Sequence, residues 1–202
     1  MQFLTGIAII GAVSVMNAAE PGRITGVVQC DGTGANNVVV WAITSDCRVS
    51  YQTTEFEQNR FVFDKVPPGT YTVVGSCDFA YALPSAEFAV RSGATTSVDV
   101  YMGMRIDEKG TVAPGISPLN GRVVDEKGRA VSEATVRAET ISFWPRGEST
   151  TDPAGRFGFC AVTQGRHSLV VSHPDYRTRK VQLSVGAFNY SGGQLEIKLR
   201  KR

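Results

Sequence analysis

Histidine is scarce in this chain: His167 and His173 are the only two in 202 residues. On an extended strand, residues six apart share a face but sit about 20 Å from each other, so the pair does not converge on one metal. No H-x-x-E, no G-x-S-x-G, no glycine-rich phosphate loop and no paired-carboxylate arrangement occurs, which removes the usual signatures of hydrolytic and phosphoryl-transfer chemistry. Amphipathic helices are missing too, because no segment combines an apolar 3.6-residue period with caps. A formal net charge of +2 is too small for a dedicated nucleic-acid binder. No segment is biased enough in composition to stay unfolded.

The longest apolar run lies at the start. In "MQFLTGIAIIGAVSVMNAAEPG" the stretch from Phe3 to Met16 carries no charge and closes on "NAA" before Glu20. It is short for a membrane span of about 20 residues and fits a secretory signal peptide over residues 1–19, cleaved after Ala18 or Ala19. Its n-region has no Lys or Arg. A buried N-terminal strand or an uncleaved anchor are the other readings of the same run. We expect an exported chain, periplasmic, in the cell envelope or extracellular, with no integral membrane span after cleavage. Four cysteines, Cys30, Cys47, Cys77 and Cys160, suit an oxidising compartment. None forms a C-x-x-C motif.

What is present is a repeat. Shifting the chain by 96 residues lays "NRFVFDKVPPGTYTVV" (59–74) on "GRFGFCAVTQGRHSLV" (155–170), matching Arg60 to Arg156, Phe61 to Phe157, Phe63 to Phe159 and Gly69 to Gly165. Within each copy apolar residues alternate, as in "ATVRAET", "HSLVVS" and "QLEIKL", between turn signals such as "DEKGRA", "DPAG", "PPG" and "TQG". A period this long is a tandem domain. The expected fold is all-β: two tandem seven-stranded Greek-key β-sandwiches, residues 20–102 and 118–202, joined by a linker over 103–117. The Asp152–Gly155 turn followed by Phe157 and Phe159 is then a building block of the core. The linker, polar with Gly and Pro near its end, permits either a flexible joint or side-by-side copies.

The second copy carries a resemblance. "NGRVVDEKGRAVSEATVRAE" followed by "STTDPAGRFGFCAVTQGRHSLVVSHPDYRT" resembles the carboxypeptidase regulatory-like domain, a transthyretin-like (prealbumin-like, Ig-like) sandwich with a carbohydrate-binding-like fold. Two positions depart from that family's pattern: His167 stands where Tyr is usual, and Asp175 replaces the Gly before Tyr176. The first copy departs further, with "CDGTGANN" at its opening turn and "EQNR" in place of D-x-x-G. The resemblance implies an accessory module. Enzymes that share the sandwich need more than this chain offers: a dioxygenase its two Tyr and two His around iron, a hydroxyisourate hydrolase its His/Arg cluster and tyrosine-rich C-terminal tetrapeptide.

In a Greek-key sandwich the ends of the first and fifth strands share one end of the domain. Cys30 and Cys77 are therefore the preferred disulfide, while Cys47 and Cys160 are left free or paired across the copies. Sequence alone does not choose among the three connectivities. Phe143, Trp144 and Arg146 in "TISFWPRGEST" are the candidate ligand contacts: a Trp-Pro-Arg turn offers an aromatic platform beside a cation, suited to a sugar ring or peptide. The competing reading folds Trp144 back over a sandwich edge. Trp41, in the apolar "VVVWAIT", reads as an edge or interface residue. Residues 20–117 hold 7 basic and 11 acidic side chains against 14 and 8 in 118–202, and the last strands and tail are basic. Those charges suit protection of an exposed strand edge or docking of one copy on the other; attraction to an anionic polymer or phospholipid headgroups is the alternative. The reading as a whole is an exported, non-enzymatic binding or structural module with a carbohydrate or protein ligand, no cofactor, no metal and no nucleic acid. A purely architectural spacer, or a small hydrolase- or dioxygenase-like enzyme on this fold, are the alternatives.

Overall fold

The computed structural model describes residues 19–30, 37–77, 80–82, 84–104, 115–139, 143–144, 147–186 and 195–202. The expected signal peptide (apart from Ala19), most of the linker, and Arg146 lie outside them. The described residues contain seventeen strands and no helix. In the N-terminal half these are β1 (Gly22–Cys30), β2 (Val39–Thr44), β3 (Ser50–Thr53), β4 (Arg60–Val66), β5 (Gly69–Cys77), β6 (Ala80–Ala82), β7 (Phe88–Val90), β8 (Thr95–Ser97) and β9 (Val100–Met104). The C-terminal half holds β10 (Ile116–Asp125), β11 (Thr135–Ala138), β12 (Phe143–Trp144), β13 (Glu148–Thr150), β14 (Arg156–Thr163), β15 (Gly165–His173), β16 (Tyr176–Val185) and β17 (Leu195–Leu199).

Seven strands per half become nine and eight for identifiable reasons. β6 and β7 both pair with β5, and the break between them is held by Ser85, whose hydroxyl accepts from Val73 N at 3.0 Å and whose amide donates to Val73 O at 2.9 Å. β8 and β9 both run parallel to β1; between them the Asp99 carboxylate takes a ladder bond from Val27 N at 2.8 Å. β12 is an additional two-residue strand on β14.

The C-terminal half forms two four-stranded sheets, β12-β14-β10-β17 and β13-β11-β15-β16. In the N-terminal half the corresponding layers are fused, because β6 pairs with β9 and produces one nine-stranded sheet: seven strands in the order β3-β2-β5-β6-β9-β1-β4, with β7 joined to β5 and β8 to β1. The Cys30–Cys77 disulfide spans this closure: Cys30 lies opposite Met102 of β9 and Cys77 opposite Ala80 of β6.

Equivalent contacts recur in the two halves. Phe61 and Phe63 pack edge to face at 5.7 Å, and Phe157 and Phe159 do so at 6.4 Å. All four rings are buried, and each contributes on the order of 1.5–3 kcal/mol. The Tyr71 hydroxyl donates to Pro67 O at 2.9 Å; His167 Nε2 meets Thr163 O at 2.6 Å across the equivalent hairpin of the C-terminal half. His167 thus keeps the bond that Tyr71 makes, which accounts for its place in a buried strand.

Two turns of the C-terminal half share one design, Asp-x-x-Gly-Arg. Asp125 Oδ1 accepts from Lys127 N and Arg129 N, and its Oδ2 meets Arg129 Nε at 2.7 Å. Asp152 does the same with Ala154 N, Arg156 N and, at 2.8 Å, Arg156 Nε. Gly128 and Gly155 sit at φ of 78° and 75°, a left-handed conformation glycine adopts without steric cost. Burial works to raise both carboxyl groups, but the backbone and guanidinium hydrogen bonds outweigh it and hold each below its ordinary value. Both groups therefore stabilise the fold fully above an unperturbed pKa of about 3.9, and that contribution is lost as pH falls through the depressed folded-state values. Thermal melts from pH 7 to pH 2 should show a Tm decline confined to the acid end. D125N/D152N should start several degrees lower at pH 7, with the gap to the parent narrowing as pH falls toward 2; a constant gap would remove the carboxylates as its cause.

Candidate functional site

The residues that stand out are those alternation does not explain. A strand with one face in a core and one in water alternates, yet β2 is buried at five consecutive residues, β5 at seven and β14 at six. Their second faces meet each other. Val39, Trp41, Ile43 and Val74 from the N-terminal half form a cluster with Ile116, Cys160 and Ala161 from the C-terminal half, separate from the apolar core of each half. Trp41 is 3% exposed and its indole N–H donates to Gln52 Oε1 at 3.2 Å. It is an interface residue on a central strand.

Cys47 and Cys160 form a disulfide inside this cluster, joining positions 113 residues apart. The Cys47 loop approaches β14 so closely that a methyl group on Gly158 would overlap the Cys47 carbonyl. Polar contacts surround the cluster. Arg48 donates to Thr150 O at 2.7 Å and pairs with Asp46 at 3.2 Å, and Asn120 Nδ2 donates to Ser50 Oγ at 2.9 Å. Burial works to raise the Asp46 carboxyl; bonds from the Thr44 hydroxyl and from Arg48 prevail and lower it.

Along this junction runs an open groove of about 430 Å³. It is lined by the Thr44–Val49 loop, Tyr51, the Pro67–Thr70 turn and Tyr71, with Arg156 reaching in from the C-terminal half. Burial, then the neighbouring Tyr51, push the Tyr71 hydroxyl up to about 12, so it stays a neutral donor. Two phenols, one carboxylate and two guanidinium groups can hydrogen-bond and stack; they do not compose a nucleophile with its base. A second depression, about 530 Å³, lies beside β15 and β16 around Glu139, Arg166, His167 and Gln182. There Lys180, 2.6 Å from Glu139, holds that carboxyl below its usual range.

Of the sequence-derived ligand contacts, Phe143 and Trp144 lie on β12 opposite Val162 and Ala161, in a strand where a turn was expected. That strand borders the junction, since Ala161 belongs to the shared cluster. Arg146 lies outside the described residues. His167 is buried in its hairpin, while His173 packs edge-on to Tyr176 and accepts from Asp175 N. Among the described residues no three His, Cys, Asp or Glu side chains are grouped to hold a metal, and no helix is long and apolar enough to cross a membrane. The sequence reading missed Asp46, Arg48, Asn120 and Gly158. The signal that could have found them is the doubly apolar character of "VVVWAI" and "FGFCAV".

Residues 118–199 match the carboxypeptidase regulatory-like domain. The regulatory-like domain thus takes in both Asp-x-x-Gly-Arg turns, the phenylalanine strand β14 and His167. No curated protein sequence matches the chain. Among solved structures it is similar to a streptococcal ancillary pilin, at 13% identity and a TM-score of 0.39, over 90% of this chain and 62% of that one. It is also similar to the Bacillus anthracis TIE protein, at 13% identity and 0.35, over 90% and 34%. A third is the minor pilin of Streptococcus agalactiae, at 11% and 0.39, over 90% and 96%. The chain spans less than two thirds of the first two. Likeness at this level is one of β architecture.

Proposed function

We propose that this is an exported, non-enzymatic module of the cell envelope or extracellular space. In this reading two tandem sandwiches, 20–102 and 118–202, act as one clamped body that presents a binding surface to a carbohydrate or protein. The observation that carries it is the Cys47–Cys160 disulfide set in an apolar cluster between the halves. A buried cross-link of this kind persists in oxidising compartments, and it fixes the relative placement of two surfaces that flank the junction. Export also accords with the unpaired-thiol inventory: among the described residues no cysteine is free.

Phe143, Trp144 and Arg146 remain the proposed contacts, the first two carried on β12 beside β14. Binding of the mature chain to immobilised neutral glycans, with Trp144→Ala alongside, tests this. A ligand bound by the parent and weakened at least tenfold by Trp144→Ala supports recognition at this edge. No ligand for either protein leaves the architectural spacer as the better reading.

A further inference from the structure

The basic C-terminal residues are organised by main-chain pairing. Arg177 N donates to Arg200 O at 2.8 Å and Arg202 N to Asp175 O at 3.2 Å, and Tyr176 bridges to Lys201. Arg202 Nε also reaches Tyr176 O, and Arg179 Nη1 reaches Lys198 O at 2.6 Å. Residues 198–202 therefore run beside the start of β16 as a second strand. Cations recur at alternate positions on both: Arg177 and Arg179 on one, Lys198, Arg200 and Arg202 on the other. Alternate residues of a strand share a face at a spacing of roughly 6.5–7 Å.

The acids nearby are mostly committed elsewhere. Asp125 and Asp152 hold their own turn arginines, Arg129 and Arg156. Glu196 pairs with Lys198 at 3.7 Å and Glu126 with Arg200 at 3.5 Å. Arg177, Arg179 and Arg202 on that shared face, and Lys201 on the opposite one, are exposed and have no acid partner among the described residues. Protection of a strand edge does not account for four such cations, because the tail already hydrogen-bonds that stretch of β16. Like charges held this close repel, and a bound anion relieves the repulsion.

We propose that this two-stranded basic ribbon binds a linear polyanion, a polymer carrying closely and regularly spaced oxyanions, through guanidinium and ammonium contacts to successive anionic groups. The site is separate from the Trp144 edge, so it stands or falls independently of the ligand proposed there. Long-chain polyphosphate serves as the probe, with the full chain as the binding partner and fluorescence anisotropy as the readout. Binding should weaken roughly 50- to 150-fold between 50 and 200 mM NaCl, as release of about four counterions requires. R177Q/R179Q/K201Q/R202Q should lose at least tenfold at 50 mM NaCl. R177Q/K201Q, whose side chains make no hydrogen bond among the described residues, should lose three- to fivefold with an unchanged melting temperature. Removing as many charges from the N-terminal half, in R23Q/R60Q/K65Q/R91Q, should change affinity less than threefold. No binding at 50 mM NaCl, equal losses in both quadruple variants, or binding to phosphatidylglycerol vesicles without binding to polyphosphate would each overturn the proposal.

Discussion

Replacing Cys47 and Cys160 together with serine should lower the unfolding free energy by about 5 kcal/mol, the loss expected when a loop of roughly 100 residues is no longer cross-linked in the unfolded chain. For a protein of this size that is a fall in Tm of roughly 10 °C. Differential scanning calorimetry should give one transition for the oxidised parent, because the halves share the apolar cluster around Val39, Trp41 and Ile116. The double variant should broaden or split. A loss under 1 kcal/mol with a single sharp transition would mean that apolar packing alone couples the halves and that the bridge is incidental to it.

Phe157→Ala should cost about 3–5 kcal/mol, the range for truncating a buried phenylalanine in a core that cannot collapse. Phe157 is fully buried, stacks edge-on with Phe159 and lies opposite Gly121 in the β10–β14 ladder, where the missing side chain makes room for its ring. Removing the ring leaves a void that Gly121 has no atoms to fill. The damage should be local to the C-terminal core. With the Cys47–Cys160 bridge intact, one transition should shift down; in the serine background, the C-terminal half should melt first while the N-terminal transition stays near its own temperature. Hydrogen exchange resolved by residue would check this, and uniform loss of protection across both halves would contradict it.

The all-β character of the chain was legible because period-two alternation and glycine-centred turns are local signals. The phenylalanine hairpins, the paired turns and the strand boundaries around them lie where those signals are strong. The splits at Ser85 and Asp99 were not legible, since each depends on a side chain substituting for a main-chain partner on a distant strand. Closure of the N-terminal sheet through β6 and β9 was hidden for the same reason: it depends on how two short strands meet in space. The junction left a trace, in strands apolar on both faces, but which surface covers a doubly apolar strand is a tertiary question. Arg48 illustrates it: its hydrogen bond to Thr150 O joins residues 102 apart, with nothing local to mark either. Of the candidate ligand contacts, "FWPRG" read as a turn on its Pro and Gly, whereas pairing with β14 draws Phe143 and Trp144 into a strand.

The Cys47–Cys160 bridge also bears on tension. A load applied between Gly22 and Leu199 enters on β1 and leaves on β17, and the bridge gives it a covalent shortcut. The span between them, a sequence separation of 113, is shielded: even if both halves were to come apart, that segment, roughly 380 Å of extended chain, could not pay out. Under oxidising conditions the molecule is a short-travel link, able to lengthen only by the chain outside the bridge, and a reductant converts it into a long one.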